Sequence, residues 1–174
     1  MALELGVSLT KIAERAVHLV PARHRGEVVR LGSRVTVIDD SYNANPSATR
    51  LALEVLAKTS ASRRIAVLGE MLELGERSID LHSGIGKAVS TAGVDLLIAV
   101  GGKPAAALAE TAARTGMPGA RVRYFTTSDE AAAAVSTLIE PGDIVLVKGS
   151  RGVGTDRIVE RIVAQWAQPA HRSD

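Results

Sequence analysis

The feature that most constrains the fold is a regular alternation of apolar segments with longer helix-forming segments. Glycine-, proline- or hydroxyl-rich turns separate the segments, and five of the apolar ones are predicted to be strands: 35–39, 64–69, 95–100, 122–125 and 143–148. Strands that alternate with helices of ten or more residues form right-handed βαβ units and a mostly parallel sheet. Val28–Leu31, followed by a Gly-Ser turn, predicts a hairpin that adds one antiparallel edge strand. We therefore expect an α/β fold with about six strands and helices on both faces.

The composition agrees with this Rossmann-like arrangement and excludes several kinds of site. Aromatic residues make up 2% of the 174 residues, so Val, Ile, Leu and Ala must build the core, as in helices packed on a parallel sheet. The absence of cysteine excludes disulfides and thiolate metal sites. The four histidines show no ligand spacing with carboxylates, so no metal site is expected. The net charge is +2 and the 21 basic residues are scattered, which gives nucleic-acid binding little support.

The helix boundaries and the location follow from local signals. Ser8, Asn45 and Ser128 are predicted N-caps, and Pro46 suits the first position of its helix. The chain starts as if inside a helix that stops at Gly6, which suggests a piece of a longer protein. No apolar run approaches the roughly 18 residues of a membrane-spanning helix, and no signal peptide is recognisable. We therefore expect no membrane insertion and a cytoplasmic location.

Three polar loops follow predicted strands, at 40–46, 69–75 and 148–154. Ligands of parallel α/β sheets bind outside the carboxyl ends of the strands, so a shared site is expected there. Tyr42, one of only four aromatic residues, lies in the first loop. The third loop leads into a helix and carries Lys148 and Arg151, which favours a phosphate or a carboxylate. A glycine-rich turn with surface charges explains that loop about equally well.

Two acidic residues and one histidine leave similar alternatives. One carboxylate of Asp39-Asp40, at the end of a strand, can accept both hydroxyls of a ribose, whereas a helix-capping or loop-bracing role explains the pair without any ligand. His82 is interpreted as a half-buried structural residue. The dinucleotide-binding fingerprint, the phosphate-binding loop and the nucleophile elbow are all absent, so no catalytic residue is expected within this chain.

Three segments in order resemble the C-terminal domain of MurF-type Mur ligases. These segments are Asp39-Asp-Ser-Tyr-Asn-Ala-Asn-Pro46, Leu68-Gly-Glu-Met-Leu-Glu-Leu-Gly75 with His82 downstream, and Lys148-Gly-Ser-Arg151. Such ligases join D-alanyl-D-alanine to UDP-N-acetylmuramoyl-tripeptide with cleavage of ATP, in peptidoglycan synthesis. The resemblance covers essentially the whole chain.

The resemblance implies a domain organisation. Residues 1–20 would be the tail of a preceding central domain, 21–33 an interdomain linker and edge strand, 34–167 the C-terminal domain, and 168–174 a frayed tail. The cofactors would be ATP and Mg²⁺, with the metal held by the missing central domain. The partners would be the chain's own missing N-terminal and central domains and the two substrates, in a monomeric enzyme. This piece alone would be inactive, because catalysis would depend on domain closure.

The resemblance also implies two groups of site residues. The ATP-binding group would be Arg25, Asp40, Tyr42, Asn43, Asn45 and Pro46, with Arg23 as the alternative to Arg25. The dipeptide-binding group would be Glu70, Met71, Leu72, Lys148, Ser150 and Arg151. Two alternative functions stay open beside the ligase: a stand-alone α/β module that binds a small molecule or a nucleotide, and an interaction module for cell-wall proteins.

Overall fold

A computed structural model describes residues 4–17 and 22–167 of the chain. It contains six strands: β1 (Glu27–Arg30), β2 (Thr36–Asp40), β3 (Arg63–Gly69), β4 (Leu96–Val100), β5 (Val122–Phe125) and β6 (Asp143–Lys148). The α-helices of the described residues are α1 (Leu9–Ala16), α2 (Pro46–Lys58), α3 (Ser78–Thr91), α4 (Lys103–Arg114), α5 (Ser128–Leu138) and α6 (Asp156–Trp166). The predicted frayed tail at 168–174 lies outside the described residues.

The strands form one sheet in the order β1-β2-β6-β3-β4-β5. Strand β1 pairs with β2 in antiparallel fashion, and the other neighbours are parallel. The chain returns from β5 to place β6 between β2 and β3, so the carboxyl ends of β2, β6 and β3 are adjacent. The predicted mostly parallel sheet with one antiparallel edge strand is confirmed.

Helices cover both faces of the sheet, as predicted. Helices α2, α3 and α4 pack on one face through residues such as Leu53, Ile85 and Leu108. Helices α5 and α6 pack on the other face through residues such as Val135 and Ile158. Strands β4 and β6 are buried along their whole length, which explains why they read as continuous apolar runs.

Helix α1 differs from the other helices because it buries no residue against the sheet. Its start is as predicted, since Ser8 Oγ accepts a hydrogen bond from Lys11 N–H at 3.3 Å. Leu9 of its apolar stripe is exposed. Within the described residues, α1 therefore adds nothing to the core of the domain.

Helix starts were predicted correctly at α2 and wrongly at α5. Asn45 Oδ1 accepts from Ala48 N–H at 2.9 Å, and Pro46 is the first helical residue. At α5 the N-cap is Thr127, whose Oγ1 accepts from Glu130 N–H at 3.2 Å. Ser128 is instead the buried first residue of the helix, and its hydroxyl donates to the Val153 carbonyl at 2.8 Å. A contact between two distant segments thus uses the hydroxyl that was predicted as the cap.

No helix of the described residues has the length and apolar character needed to cross a membrane.

Candidate functional site

The three predicted loops meet at one edge of the sheet. The loops 41–45, 70–74 and 149–154 follow β2, β3 and β6, which are neighbours in the sheet. Hydrogen bonds then tie the second loop to the third: Ser150 N–H donates to the Glu70 carbonyl at 3.1 Å, and Leu72 N–H donates to Ser150 Oγ at 3.0 Å. The prediction that these loops converge is confirmed.

The adjacent carboxylates Asp39 and Asp40 have different roles, because successive side chains of a strand point to opposite faces. Asp39 is buried and braces the loop. Its Oδ1 accepts from the backbone N–H of Ser41 at 3.1 Å and from the Ser41 hydroxyl at 2.6 Å, while its Oδ2 lies 2.7 Å from His24 Nδ1. The loop-bracing interpretation therefore applies to Asp39, which leaves Asp40 as the carboxylate that faces the cavity.

The buried Lys148 side chain forms an ion pair with Asp40. Its ammonium donates to Asp40 Oδ2 at 2.6 Å and to the Asn43 carbonyl at 2.9 Å. The Lys148 side chain is 3% exposed and that of Asp40 is 26% exposed, so the ion pair opens to solvent on the carboxylate side only. Lys148 was predicted in the dipeptide group, but its contacts are with Asp40 and Asn43, two residues of the predicted ATP group. The separation of 108 residues in sequence hides this contact from sequence patterns.

A cavity of about 310 Å³ gathers the predicted ATP group. Its walls are formed by Arg25, Gly26, Asp40, Tyr42, Asn43, Asn45, Ala48 and Lys148. Pro46 is the predicted member that does not line it. An apolar hollow of about 320 Å³, lined by residues including Ile38, Leu51 and Val55, shares Gly26, Asp40 and Ala48 with this cavity. The two form a cleft with one polar end and one apolar end, which suits a phosphorylated sugar joined to a flat apolar ring.

Tyr42 forms the side of this cleft that faces the third loop. The Arg25 guanidinium carbon lies 4.1 Å from the centre of the Tyr42 ring, and that of Arg151 lies 5.7 Å from it. Tyr42 N–H also donates to the His24 carbonyl at 3.1 Å, which ties residues 24–25 to the loop. Arg25, rather than the alternative Arg23, therefore lies beside the predicted nucleotide residues. Nothing in the sequence indicated the bracing role of His24.

Several residues of the predicted dipeptide group are engaged inside the protein. Glu70 Oε2 accepts from Gly102 N–H at 2.7 Å, which links the ends of β3 and β4. Met71 is buried in the core beside α2 and α3. Ser150 is buried and binds Glu70 and Leu72 as described above. Leu72 and Arg151 are the members of this group that are exposed.

His82 is a structural residue, as predicted, although it is fully buried rather than half-buried. Its Nε2 accepts from Met71 N–H at 2.9 Å, and its Nδ1 lies 2.7 Å from the Ser78 carbonyl, to which it donates. Burial lowers the pKa of His82 below its ordinary value, which favours the neutral imidazole that these two bonds require. His82 therefore holds the 70–74 loop and offers no free nitrogen to a substrate.

The third loop does not lead straight into α6. A short 3-10 turn at Arg151–Val153 and the left-handed Gly154 intervene, and α6 begins at Asp156. Since Lys148 is paired with Asp40, Arg151 is the cation of this loop that remains available to an anion. No group of three or more His, Asp or Glu side chains within residues 4–17 and 22–167 is arranged to hold a metal ion.

Comparison with known proteins identifies relatives over most of the chain. The family described as "Mur ligase, glutamate ligase domain" matches residues 24–151. The UDP-N-acetylmuramoyl-tripeptide–D-alanyl-D-alanine ligase of Mycobacterium tuberculosis (strain H37Rv) is 37% identical over 182 residues, which cover 94% of this chain and 36% of that protein. The ligase of the same name from Bacillus subtilis (strain 168) is 30% identical over 140 residues, covering 80% of this chain and 30% of that protein.

Solved structures give the same picture. MurF from Acinetobacter baumannii is similar with a TM-score of 0.82 and 30% identity, over 94% of this chain and 35% of that one. MurF ligase from Thermotoga maritima, solved in complex with ADP, is similar with a TM-score of 0.72 and 26% identity, over 94% and 35%. The chain thus spans about a third of the length of these relatives.

Proposed function

Since the chain belongs to the Mur ligase family, as the C-terminal domain of a MurF-type ligase, we propose that it supplies one wall of an active site that joins D-alanyl-D-alanine to UDP-N-acetylmuramoyl-tripeptide with ATP cleavage. The other walls come from the domains that precede it in a longer cytoplasmic protein. Helix α1 supports this organisation, because none of its residues is buried and it adds nothing to the core of the sheet domain. Residues 1–20 are therefore assigned to the preceding domain, 21–33 to the linker and edge strand, and 34–167 to this domain.

The observation that carries the proposal is the cavity that collects Arg25, Asp40, Tyr42, Asn43 and Asn45. Lys148 holds one oxygen of Asp40 and leaves the other free to accept hydroxyl groups of a ribose. The apolar hollow beyond Ala48 accommodates the flat base. Arg25 lines the same cavity, and its guanidinium can bind the phosphates in two parallel bonds.

The dipeptide is assigned to the exposed side of the second and third loops. Arg151 is the group that can bind its carboxylate, and Leu72 offers an apolar surface to its methyl groups. Four other residues of the predicted dipeptide group do not contact the dipeptide but hold the loops in place: Glu70, Met71, Ser150 and Lys148. Pro46 acts in the same indirect way as the first residue of α2.

This chain binds and orients, while the covalent step is assigned to the preceding domains. There the γ-phosphoryl group of ATP would be transferred to the tripeptide carboxylate with release of ADP. Once the domains close, the dipeptide amine would attack the carbonyl carbon of the acyl phosphate and displace phosphate. The described residues do not fit a magnesium site, since Asp40 already shares one oxygen with Lys148. We therefore assign Mg²⁺ to the central domain and derive no step through it.

The test is a titration of this chain with ADP, in which binding is monitored by NMR. Saturable signal changes are expected at Asp40, Asn43 and Asn45, and Asp40→Asn should weaken ADP binding about tenfold or more, since a hydrogen bond to a charged group is lost. Asp129→Asn is the matched control, because Asp129 is also paired with a basic residue, Arg157, but lies away from the cavity. Equal ADP affinity of the two variants would contradict the nucleotide assignment.

A second measurement tests the role of this chain within a longer enzyme. The chain alone, given ATP, UDP-N-acetylmuramoyl-tripeptide and D-alanyl-D-alanine, is expected to release no phosphate. Phosphate release at a rate above that of the buffer would show that the covalent step does not need the preceding domains.

A further inference from the structure

The Tyr42 ring lies close to two arginines that come from separate segments of the chain. Arg25 and Arg151 have their guanidinium carbons 4.1 Å and 5.7 Å from its centre, within the roughly 6 Å over which a ring attracts a cation. Among the described residues, neither guanidinium has a hydrogen-bond or ion-pair partner. The ring is therefore the contact that orients both cations.

Each arginine belongs to a different set of connected loops. The segment of Arg25 is tied to the first loop, because Tyr42 N–H donates to the His24 carbonyl at 3.1 Å and the His24 ring lies 2.7 Å from Asp39. The segment of Arg151 is tied to the second loop by the bonds of its neighbour Ser150. Arg25 therefore moves with the first loop and Arg151 with the second, and the Tyr42 ring contacts both arginines.

We infer that Tyr42 is a positioning residue that couples the nucleotide half of the site to the dipeptide half. This inference rests on the proposed function, which assigns Arg25 to phosphates and Arg151 to the carboxylate of the dipeptide. A phosphate that draws Arg25 from the ring changes the surroundings of Arg151, and a carboxylate that draws Arg151 away changes those of Arg25. Because coupling between two binding sites is reciprocal, each ligand alters the affinity of the other.

The coupling can be tested without any ligand, from the NMR signals of the arginine guanidinium groups. Arg25→Gln is expected to shift the Arg151 signals in the otherwise unchanged chain and in the Tyr42→Phe background, where the ring remains. The same substitution should leave the Arg151 signals in place in the Tyr42→Leu background. Tyr124→Leu is the matched control, since Tyr124 is 39% exposed and Tyr42 is 37% exposed, and it should preserve the shift.

The ligand experiment uses ADP and D-alanyl-D-alanine as probes. ADP should shift the signals of both arginines in the unchanged chain, but only those of Arg25 in Tyr42→Leu. The dissociation constant of ADP should change about two- to five-fold when D-alanyl-D-alanine is saturating, in line with the strength of an exposed cation–π contact. In Tyr42→Leu that factor should return to one, whereas Tyr42→Phe should keep it.

The possible results separate the coupling from the function on which it rests. The coupling is overturned if Arg25→Gln leaves the Arg151 signals unchanged, or if it shifts them equally in Tyr42→Leu. It is also overturned if ADP binds and its affinity is independent of the dipeptide at saturation. If ADP causes no signal change at Asp40 or Asn43, the nucleotide assignment fails instead, and the ligand-free comparison still decides whether Tyr42 couples the two arginines.

Discussion

The first loop of the site and the second loop carry equally distinctive sequences, yet they use their side chains in opposite ways. In the first loop, Tyr42, Asn43 and Asn45 line a cavity that is open to a ligand. In the second, Met71 is buried in the core, and the carboxylate of Glu70 binds the Gly102 amide. A distinctive motif therefore marks residues that line a cavity in one place and the scaffold that supports the site in another. Substitutions of the buried residues in the second loop should damage folding more than binding, and those in the first loop should do the reverse.

The largest effect on stability is expected from Met71→Ala. It removes a buried side chain between the sheet and helices α2 and α3, so the free energy of unfolding should fall by about 2–5 kcal/mol. The neighbouring Leu72→Ala is the matched control, since Leu72 is exposed, and should cost less than about 1 kcal/mol. Chemical denaturation of both variants provides the measurement. Equal losses would mean that the motif does not divide into a core residue and a surface residue.

The next effect concerns His82, which links α3 to the second loop. His82→Leu leaves Met71 N–H without a partner in a buried site, which should cost about 1–3 kcal/mol. His82→Gln keeps an acceptor and should recover part of that loss. If His82→Gln and His82→Leu had the same free energy of unfolding, the hydrogen bond to Met71 would contribute little.

The pH dependence of stability gives an independent test of the same residue. Burial lowers the pKa of His82 in the folded state, so the unfolded chain binds the proton more readily. The contribution of His82 is therefore complete above the ordinary histidine value of about 6.5 and is lost as the pH falls from there towards the lower folded-state pKa. Denaturation of the unchanged chain and of His82→Gln, followed from neutral to acidic pH, should show that the difference in stability between them narrows. A constant difference would contradict a neutral, buried His82.

These two regions also explain what could be predicted from the sequence. The mostly parallel sheet and the convergence of the loops follow from alternating strands and helices, and the start of α2 follows from the local chemistry of Asn45 and Pro46. The position of β6 between β2 and β3 was not predicted, because alternation does not set the order of the strands. The contact of Lys148 with Asp40, a residue of the predicted ATP group, joins segments far apart in the chain and was therefore not predicted. The motif residues Met71 and Leu72 are both apolar. Only the folded structure decides that Met71 is buried in the core while Leu72 is exposed. Thr127 and Ser128 are neighbouring hydroxyl residues, so the sequence alone does not distinguish the cap from the buried residue.

Lys148, the last residue of β6, provides a test of the first loop, because it contacts Asp40 and Asn43. Lys148→Met keeps most of the length of the side chain but removes the charge that holds Asp40 and Asn43. Asp40 is partly exposed and can be hydrated. The free energy of unfolding should therefore fall by less than is typical when a fully buried ion pair is broken, which is about 3–5 kcal/mol. ADP affinity should fall about tenfold, because the carboxylate loses its fixed orientation. An unchanged affinity, measured by calorimetry on the folded variant, would place the nucleotide elsewhere.

The smallest effect on stability is expected at Asn45, which serves both the fold and the cavity. Its Oδ1 accepts the bond that caps α2, so Asn45→Ala should cost about 0.5–2 kcal/mol. Asn45→Ser retains a capping oxygen and should preserve stability, yet it removes the amide nitrogen that the cap leaves free to face a ligand. If the ligand-facing role of the first loop is correct, the Ser variant unfolds like the unchanged chain but binds ADP more weakly. Equal ADP binding by the Ser variant and the unchanged chain would restrict Asn45 to the helix cap, and the contrast between the two loops would then rest on Asp40, Tyr42 and Asn43.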